Sequence, residues 1–535
     1  MTSPPTTTAI EQKISHSVGT RTAAIVGLIT AILGLFIVSS NGPSTVFGWG
    51  TVAVGLGTLA ALRVPQLRKD LFNTWYNALV TILLGVVGVY AIYRGGKFLF
   101  LSGQWEAVRQ NLTLLMIGTF PRSEQWRLVV QTYLLASSIG IAWGTVVASN
   151  RDRAIEIGTA FERHSVLGLA RRYWAILVLL IVTLIFTGTI WPTLLTVSAL
   201  ALGLILRQSV MRLPRQLRKV GWFAAGLTGI VSFQVLTGTG GISWWWTSAL
   251  FSFAALQIAS AKDFSKYLGT MIVWPVSGRT RQITAKDLAR FKLAAQFLSV
   301  VAAVVAVRVI YWLIGETSSV GWDNWAGLHL TLVASVAAII LAFPISLLLA
   351  IGRRSSLPVV RWLCVGYIEF FRGVPLITLL FVASIFIGFF LDTDTPLSLL
   401  TRAIIMFTIF SSAYLAEVVR GGLQAVSRGQ VEAGQTVGLQ PFGVTRLIVL
   451  PQALRAVIPA MVGQIISLFK DSSLLSIISI VELVRARELI HAQAGFITAT
   501  HAETLVFVAF AYWAISYTMS RESQRLERRL GVGER

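Results

Sequence analysis

The chain has 535 residues, 55% of them hydrophobic and only 13% charged, with a mean hydropathy of +0.72. A soluble domain carries about 25% charged residues, so a soluble enzyme, a disordered chain and a fibrous protein are all excluded. The net charge of +22 would suggest a nucleic-acid partner in a soluble protein, but here none is expected, because membrane proteins gather Lys and Arg in cytoplasmic loops that fix their orientation. Cys364 is the only cysteine, so no intrachain disulfide is expected. The five histidines (His16, His164, His329, His491, His501) are scattered without a second ligand at metal spacing, so no metal or cofactor is expected in the chain.

Residues 1–21 are polar and rich in Thr, Ser and Pro, without an A-x-A-like cleavage site, and read as a cytoplasmic tail ahead of the first span. Apolar runs follow near 22–40, 47–62, 74–93, 127–149, 173–190, 193–206, 220–236, 245–260, 293–314, 327–351, 374–391, 403–420, 458–480 and 503–520. At roughly 20 residues per crossing they predict an all-α polytopic membrane protein of about 14 spans, with the run 193–206 joined to its predecessor through Trp191-Pro192. The segments 63–69, 151–172, 207–219, 262–292, 353–372 and 420–455 and the tail from Arg521 are basic, whereas 41–46, 237–243 and 315–326 carry no Lys or Arg. That bias places both termini in the cytoplasm, with 94–127 and the pair Arg485 and Arg487 as exceptions. Trp244-Trp245-Trp246, Trp322 and Trp325 fall at span ends, where an interfacial belt accounts for them.

The chain divides unevenly. Residues 22–317 form an N-terminal membrane extension of about nine spans with no chemical motif, 318–525 hold the motif-bearing core, and 526–535 form a cytoplasmic tail. Within the core, the loop 420–456 is long for a membrane hairpin. Gln430 to Val437 reads as a short helix with one apolar face, Gly438 can take φ > 0 at its C-terminal end, and Pro441 blocks continuation. A second short segment leads to Pro451. Such a helix–turn–helix is compact and stiff, suited to being gripped by a partner, although an amphipathic loop lying on the membrane is the plainer alternative.

The spacing separates these readings. Glu432-Ala433-Gly434, three residues, Gly438, nine residues and then Ile448-x-Leu450-Pro451 resembles the EAA signature of the permeases of ABC importers, with Gly434 replacing the second Ala. Flanking stretches resemble polar amino-acid importers: Ala413-Tyr-Leu-Ala-Glu-Val-Val-Arg-Gly-Gly422, Gly366-Tyr-Ile-Glu-Phe-Phe-Arg-Gly-Val-Pro375 and Ser467-Leu-Phe-Lys-Asp-Ser-Ser-Leu474. Ser472 stands where that family more often has Thr. The resemblance covers about 322–525, and the N-terminal half is similar to extended permeases of general L-amino-acid uptake, on weaker motifs.

The resemblance implies a type I ABC permease core of about five helices in a bacterial inner membrane. The loop around Glu432 and Gly438 would dock on a cytoplasmic ATPase dimer, with Ile448, Leu450 and Pro451 anchoring its second segment. Substrate would arrive on an extracytoplasmic amino-acid-binding protein, and a second permease subunit, more readily a different one than a copy, would complete the pathway. ATP and Mg would be used by the partner ATPase, since this sequence has no G-x-x-x-x-G-K-[ST] loop and is not itself expected to be an enzyme. The competing classes are an ion- or proton-coupled secondary transporter, which predicts inverted repeats and interrupted helices that are not evident here, and a non-transporting scaffold.

Lys470 and Asp471 are expected well inside the span 458–480, where an unpaired charge costs at least roughly 2.5–3.5 kcal/mol. Consecutive helical positions diverge by about 100°, so the two cannot simply face each other; each should find another partner, as pathway lining or as an interhelical strut. Glu369 with Arg372 and Glu417 with Arg420 stand as i,i+3 pairs at cytoplasmic span ends, either as solvated surface pairs or as a gate. Pro344, Pro375 and Pro459 are expected to kink or open helices.

Overall fold

The computed structural model describes residues 7–41, 46–158, 166–213, 218–237, 324–390, 397–496 and 501–530, with single positions between 297 and 320. The expected span at 245–260, nearly all of that at 293–314, the basic segment 262–292, Trp244 to Trp246 and Trp322 lie outside the described residues. Helices account for the regular structure among the described residues, with no named strand. Eight of them are long and apolar enough to cross a membrane, or up to ten when two sharply bent pairs are each taken as one span. The run 173–190 gives a helix of only 14 residues, stopped by Gly188 in the left-handed conformation. The run 193–206 instead extends to a 23-residue span.

The chain forms two compact units, Met1–Trp105 and Glu106–Arg535. The first holds α1 (Thr7–Asn41), α2 (Val46–Ala61), α3 (Pro65–Leu71) and α4 (Trp75–Lys97). α1 starts at Thr7, so the helix of the first span runs back through the polar stretch before residue 22. α4 is capped by Thr74, whose hydroxyl accepts the N–H of Asn77, and carries Arg94 and Lys97 in its last turn, where cations complement the helix dipole.

The second unit opens with two short helices, α5 (Glu106–Gln110) and α6 (Leu112–Ile117), followed by α7 (Trp126–Ile157), α8 (Val166–Arg172), α9 (Trp174–Thr187), α10 (Ile190–Arg212) and α11 (Arg218–Thr237). Lipid tails are as apolar as leucine, so helices in a bilayer associate through close packing rather than water exclusion. α7 and α10 do so through glycine: a Cβ on Gly140 would lie 2.1 Å from the Gly203 carbonyl oxygen, and one on Gly144 would lie 2.7 Å from that of Arg207.

The motif-bearing part contains α12 (Gly327–Gly352), α13 (Pro358–Gly373), α14 (Leu376–Phe390), α15 (Leu399–Ala425), α16 (Arg428–Thr436), α17 (Pro441–Val444), α18 (Leu450–Asp471), α19 (Leu483–His491) and α20 (His501–Leu530). α13 and α14 meet at a 102° bend at Val374-Pro375, as a proline that disfavours helix in its predecessor dictates. Pro344 and Pro459 instead sit inside α12 and α18, which run on past them. α12 packs along α15, and α15 along α18. Trp325, Leu330, Leu380, Phe407 and Leu475 form the main buried cluster between these elements.

Three helices that the sequence places in the extension, α5, α6 and α9, are packed directly on this part of the unit. α6 lies against α12 and α19, and α9 runs along α20. Trp174 meets Trp513 and Tyr517 with ring centroids 5.7 and 5.6 Å apart, Phe186 meets Phe507, and the Arg172 guanidinium holds the Glu522 carboxylate in a two-point ion pair. Fork-to-carboxylate pairing of that kind fixes orientation as well as proximity.

Candidate functional site

The loop between α15 and α18 is built by local devices. α16 ends at Gly438, whose φ of +84° is one that side-chain-bearing residues rarely adopt. The Leu439 N–H donates to the Gly434 carbonyl (3.2 Å) and the Gly438 N–H to that of Gln435 (2.9 Å), the two bonds of a Schellman turn. Gln440 is extended, as the residue before Pro441 must be, and Pro441 starts α17. The chain then widens into a π-helical turn, Thr445–Val449, directly ahead of Pro451, whose ring excludes the regular bond to the carbonyl four residues back.

The turn folds α16 onto this second segment. Gly434 is buried, and a Cβ there would stand 2.7 Å from Ile448 Cδ1 and 3.1 Å from Val444 Cγ2. The glycine at this signature position therefore makes room for Ile448. Val444, Val449 and Ala453 are buried with Ala350, Ile368, Ala416, Val419 and Leu423, and Leu450 packs against the same cluster, so the loop is fixed to α12, α13 and α15. Glu432, Ala433, Gly438 and Pro451 are exposed. So are three large apolar side chains that the sequence reading did not single out: Val437 (79% exposed), Phe442 (75%) and Leu447 (63%). Their signal was available, as apolar residues next to a turn in an otherwise polar loop.

At the same end of the core, charges from three helices meet. Arg353, after α12, pairs with Glu369 of α13 (3.1 Å) and Glu417 of α15 (3.2 Å), and Glu417 also pairs with Arg420. The expected Glu417–Arg420 pair is present. Glu369 and Arg372 do not form the expected pair: Glu369 turns to Arg353, and the Arg372 guanidinium lies over the Tyr414 ring, 5.6 Å from its centroid. The two residues project differently because α13 stands beside Arg353 on one side and α15 on the other. Arg353 was read only as an orienting charge.

Lys470 and Asp471 lie within the candidate span Pro441–Ile478. They are the last two residues of α18, where the chain changes to a 3₁₀ segment, Ser472–Ile478, because Ser472 turns its hydroxyl back to the Phe469 carbonyl (2.6 Å). Among the described residues neither forms an ion pair. Lys470 is exposed, whereas Asp471 borders a narrow cavity lined by Ile339, Phe410, Ser411, Tyr414 and Gln464. The cavity thus brings a carboxylate together with a hydroxyl, a phenol, an amide and apolar surface.

A buried acid that the sequence reading missed completes the set. Glu482 sits at the N-cap of α19 with its side chain fully buried, accepting the N–H of Arg485 (2.9 Å) and the hydroxyl of Tyr512 (3.0 Å). Burial without a cationic partner pushes its carboxyl up to about 7. A lone Glu within the apolar run 474–484 was its sequence signal.

The model of the family described as binding-protein-dependent transport system inner membrane component matches residues 342–532, spanning the last part of α12 and all of α13 to α20. Over 208 residues the chain is 34% identical to the glutamate/aspartate import permease protein GltK of Escherichia coli O6:H1, covering 38% of this chain and 91% of that one. The chain belongs to this permease family. The permease core is therefore the stretch that carries the loop, the Arg353 network and the Asp471 cavity, in a multi-pass inner-membrane component. Two further relatives are more similar over a smaller share of their length. The inner membrane amino-acid ABC transporter permease protein YhdY of Escherichia coli K12 is 42% identical over 235 residues, 43% of this chain and 64% of that protein. The glutamate/glutamine/aspartate/asparagine transport system permease protein BztC of Rhodobacter capsulatus is 42% identical over 208 residues, 39% and 48% respectively. The match thus spans about half to two-thirds of these two longer permeases.

Proposed function

We propose that this chain is the transmembrane permease subunit of an ATP-driven amino-acid importer, coupled to a separate cytoplasmic ATPase dimer through the loop at 428–451. The observation that carries the reading is the construction of that loop. It is rigid where it joins the core, through the Gly438 turn and the Gly434–Ile448 contact, and apolar at its tip, through Val437 and Phe442. A stiff lever with an unpartnered apolar tip is what a mechanical partner needs. ATP and Mg act on the ATPase, and closure of the ATPase pair draws the loops of two permease subunits together, reopening the pathway on the far side by rigid rocking. The second permease is a different chain rather than a copy, and substrate is delivered by an extracytoplasmic binding protein. Both termini lie in the cytoplasm, as the basic loops support.

Within the core, the Asp471 cavity serves as the polar part of the pathway, where a carboxylate meets the ammonium of a zwitterionic amino acid. Arg353 with Glu369, Glu417 and Arg420 forms the cytoplasmic gate, and Arg372 supports it from Tyr414. The named relatives move amino acids, which supports the substrate class for this chain. Reconstitution with the candidate ATPase and binding protein tests the reading. ATP hydrolysis should rise on addition of one or more amino acids with their binding protein. Hydrolysis indifferent to every combination would sink the importer assignment and favour a secondary transporter or a scaffold.

A further inference from the structure

The end of the core opposite the 428–451 loop is held by a hub of hydrogen bonds that the transport reading leaves without a role. Glu482 is at its centre. One carboxyl oxygen accepts the N–H of Arg485 and so starts α19; the other accepts the Tyr512 hydroxyl of α20. Tyr512 also lies beside the hydroxyls of Ser472 and Thr331, and its ring packs on Phe469, 5.2 Å between centroids. Thr331 of α12 accepts the Leu483 N–H (3.2 Å), and the Gly327 N–H donates to the Val481 carbonyl (2.8 Å). Four elements therefore meet around Glu482 and Tyr512, and Ser472, beside Tyr512, directly follows Asp471 in the chain.

No cation among the described residues pairs with Glu482. Arg485 turns away to Glu488 (2.6 Å). The other charged or titratable groups on α19 are Arg487 and His491. Those on packed elements are His329 of α12, and His501, Glu503 and Tyr512 in the first half of α20, whose remaining groups begin at Tyr517 and run on from Arg521; α6 and the 3₁₀ segment contribute none, while α18 carries Arg455 and closes on Lys470 and Asp471. Glu488 adds like-charge repulsion to the burial that disfavours the ionised form. A buried carboxyl with hydrogen-bond donors but no countercharge keeps its proton to unusually high pH.

We propose that Glu482 is a positioning residue that, in its neutral form, clasps Tyr512 and through Ser472 fixes Asp471 in the pathway, so that uptake weakens when Glu482 ionises. The neutral carboxyl donates to the Tyr512 oxygen while that hydroxyl turns to Thr331 or Ser472, and the hub is satisfied without a buried charge. Ionisation leaves a desolvated anion between α19 and α20, which the segment relieves by loosening. The role assigned here rests on the reading of Asp471 as a pathway residue.

The linkage has a definite sign. The folded-state carboxyl titrates above its ordinary value of 4.5, so its contribution to stability is complete below that value and is lost as pH rises through about 7. Uptake by the reconstituted complex, followed from about pH 5.5 to 8.5, should fall with an inflection near 7. Glu482→Gln reproduces the neutral acid, accepting the Arg485 N–H and donating to Tyr512. The ratio of its uptake to wild type should rise roughly threefold or more between about pH 6 and 8. Tyr512→Phe removes a donor that favours the ionised form, so its inflection should move to higher pH.

A constant Glu482→Gln ratio, or an unmoved inflection in Tyr512→Phe, overturns the proposal, and the second variant decides alone if the first does not assemble. If the wild-type complex takes up no amino acid at all, the importer reading has failed. Melting temperature against pH then judges the clasp: the wild type should lose stability through pH 7 while Glu482→Gln does not, and parallel curves refute it.

Discussion

The 428–451 loop and the 472–491 segment are both short departures from long helices, at opposite ends of α12, which spans about 39 Å by its 26 residues. They are held in contrary ways. The loop is shaped by residues close together in sequence: a left-handed glycine, two prolines, and an isoleucine seated on a glycine fourteen positions earlier. The opposite segment is shaped by partners far away, with Tyr512 thirty residues after Glu482 and Thr331 about one hundred and fifty before Leu483. The loop leaves its apolar tip in solvent, whereas the segment buries the acid Glu482. A lever must be stiff yet open to a partner, and a pathway lining must be placed accurately yet respond to the helices around it.

The largest effect should come from breaking the loop at its turn. Valine is β-branched and strained at φ +84°, while asparagine tolerates that region. Gly438→Val should lower uptake at least tenfold, roughly 1.4 kcal/mol or more of lost coupling, with the chain still inserted at wild-type level. Gly438→Asn should keep most activity. Wild-type uptake in the valine variant would show that the turn transmits nothing. Next in size is the tip. Phe442→Ala removes an exposed ring that does not support the fold, so melting should be unchanged while affinity for the ATPase falls by about 1–3 kcal/mol. A loss of stability instead would mean that Phe442 belongs to the packing of the permease and not to a partner.

The same contrast explains what could be read in advance. Gly438, Pro441 and Pro451 act on the residues beside them, so the loop was legible from spacing, including the positions of Ile448 and Leu450. Lys470 and Asp471 were expected inside a span, and the candidate span Pro441–Ile478 includes them; what was not legible is the end of the α-helix at Ser472, because the apolar run 458–480 continues through it without any change in hydrophobicity. Glu369 was matched to Arg372 on helical spacing, but a third helix end brings Arg353 nearer. The tie between α9 and α20 was out of reach, since nothing in Arg172 or Trp174 names a partner some 340 residues later. Periodicity finds spans; it does not say which spans touch.

The Arg353 network should yield a smaller change than the turn or the tip. Its pairs are partly exposed, and such pairs contribute about 0–1 kcal/mol each. Arg353→Met frees Glu369 and Glu417 together, so the resting ATP hydrolysis of the complex should rise roughly two- to fivefold as the closed gate loses its tie. Glu417→Gln should act in the same direction, and the double variant should add little to either alone, because both remove one contact. Strictly additive changes would mean that the two groups act separately and that no shared gate exists.

The smallest effect is expected where this chain departs from the signature it otherwise carries. Restoring alanine at Gly434 puts a methyl group 2.7 Å from Ile448 Cδ1, which is too close, but that atom is the free end of a flexible side chain. Ile448 can yield by changing its rotamer, and alanine strengthens the helix by up to about 1 kcal/mol relative to glycine. The two contributions oppose each other, so Gly434→Ala should leave uptake within about twofold of wild type. Gly434→Leu cannot be relieved this way, since Val444 stands 3.1 Å behind and is itself buried, and it should separate α16 from the segment leading to Pro451. If alanine proved as damaging as leucine, Ile448 would be rigidly held, and the loop would owe its stiffness to the core beneath it more than to its own turn.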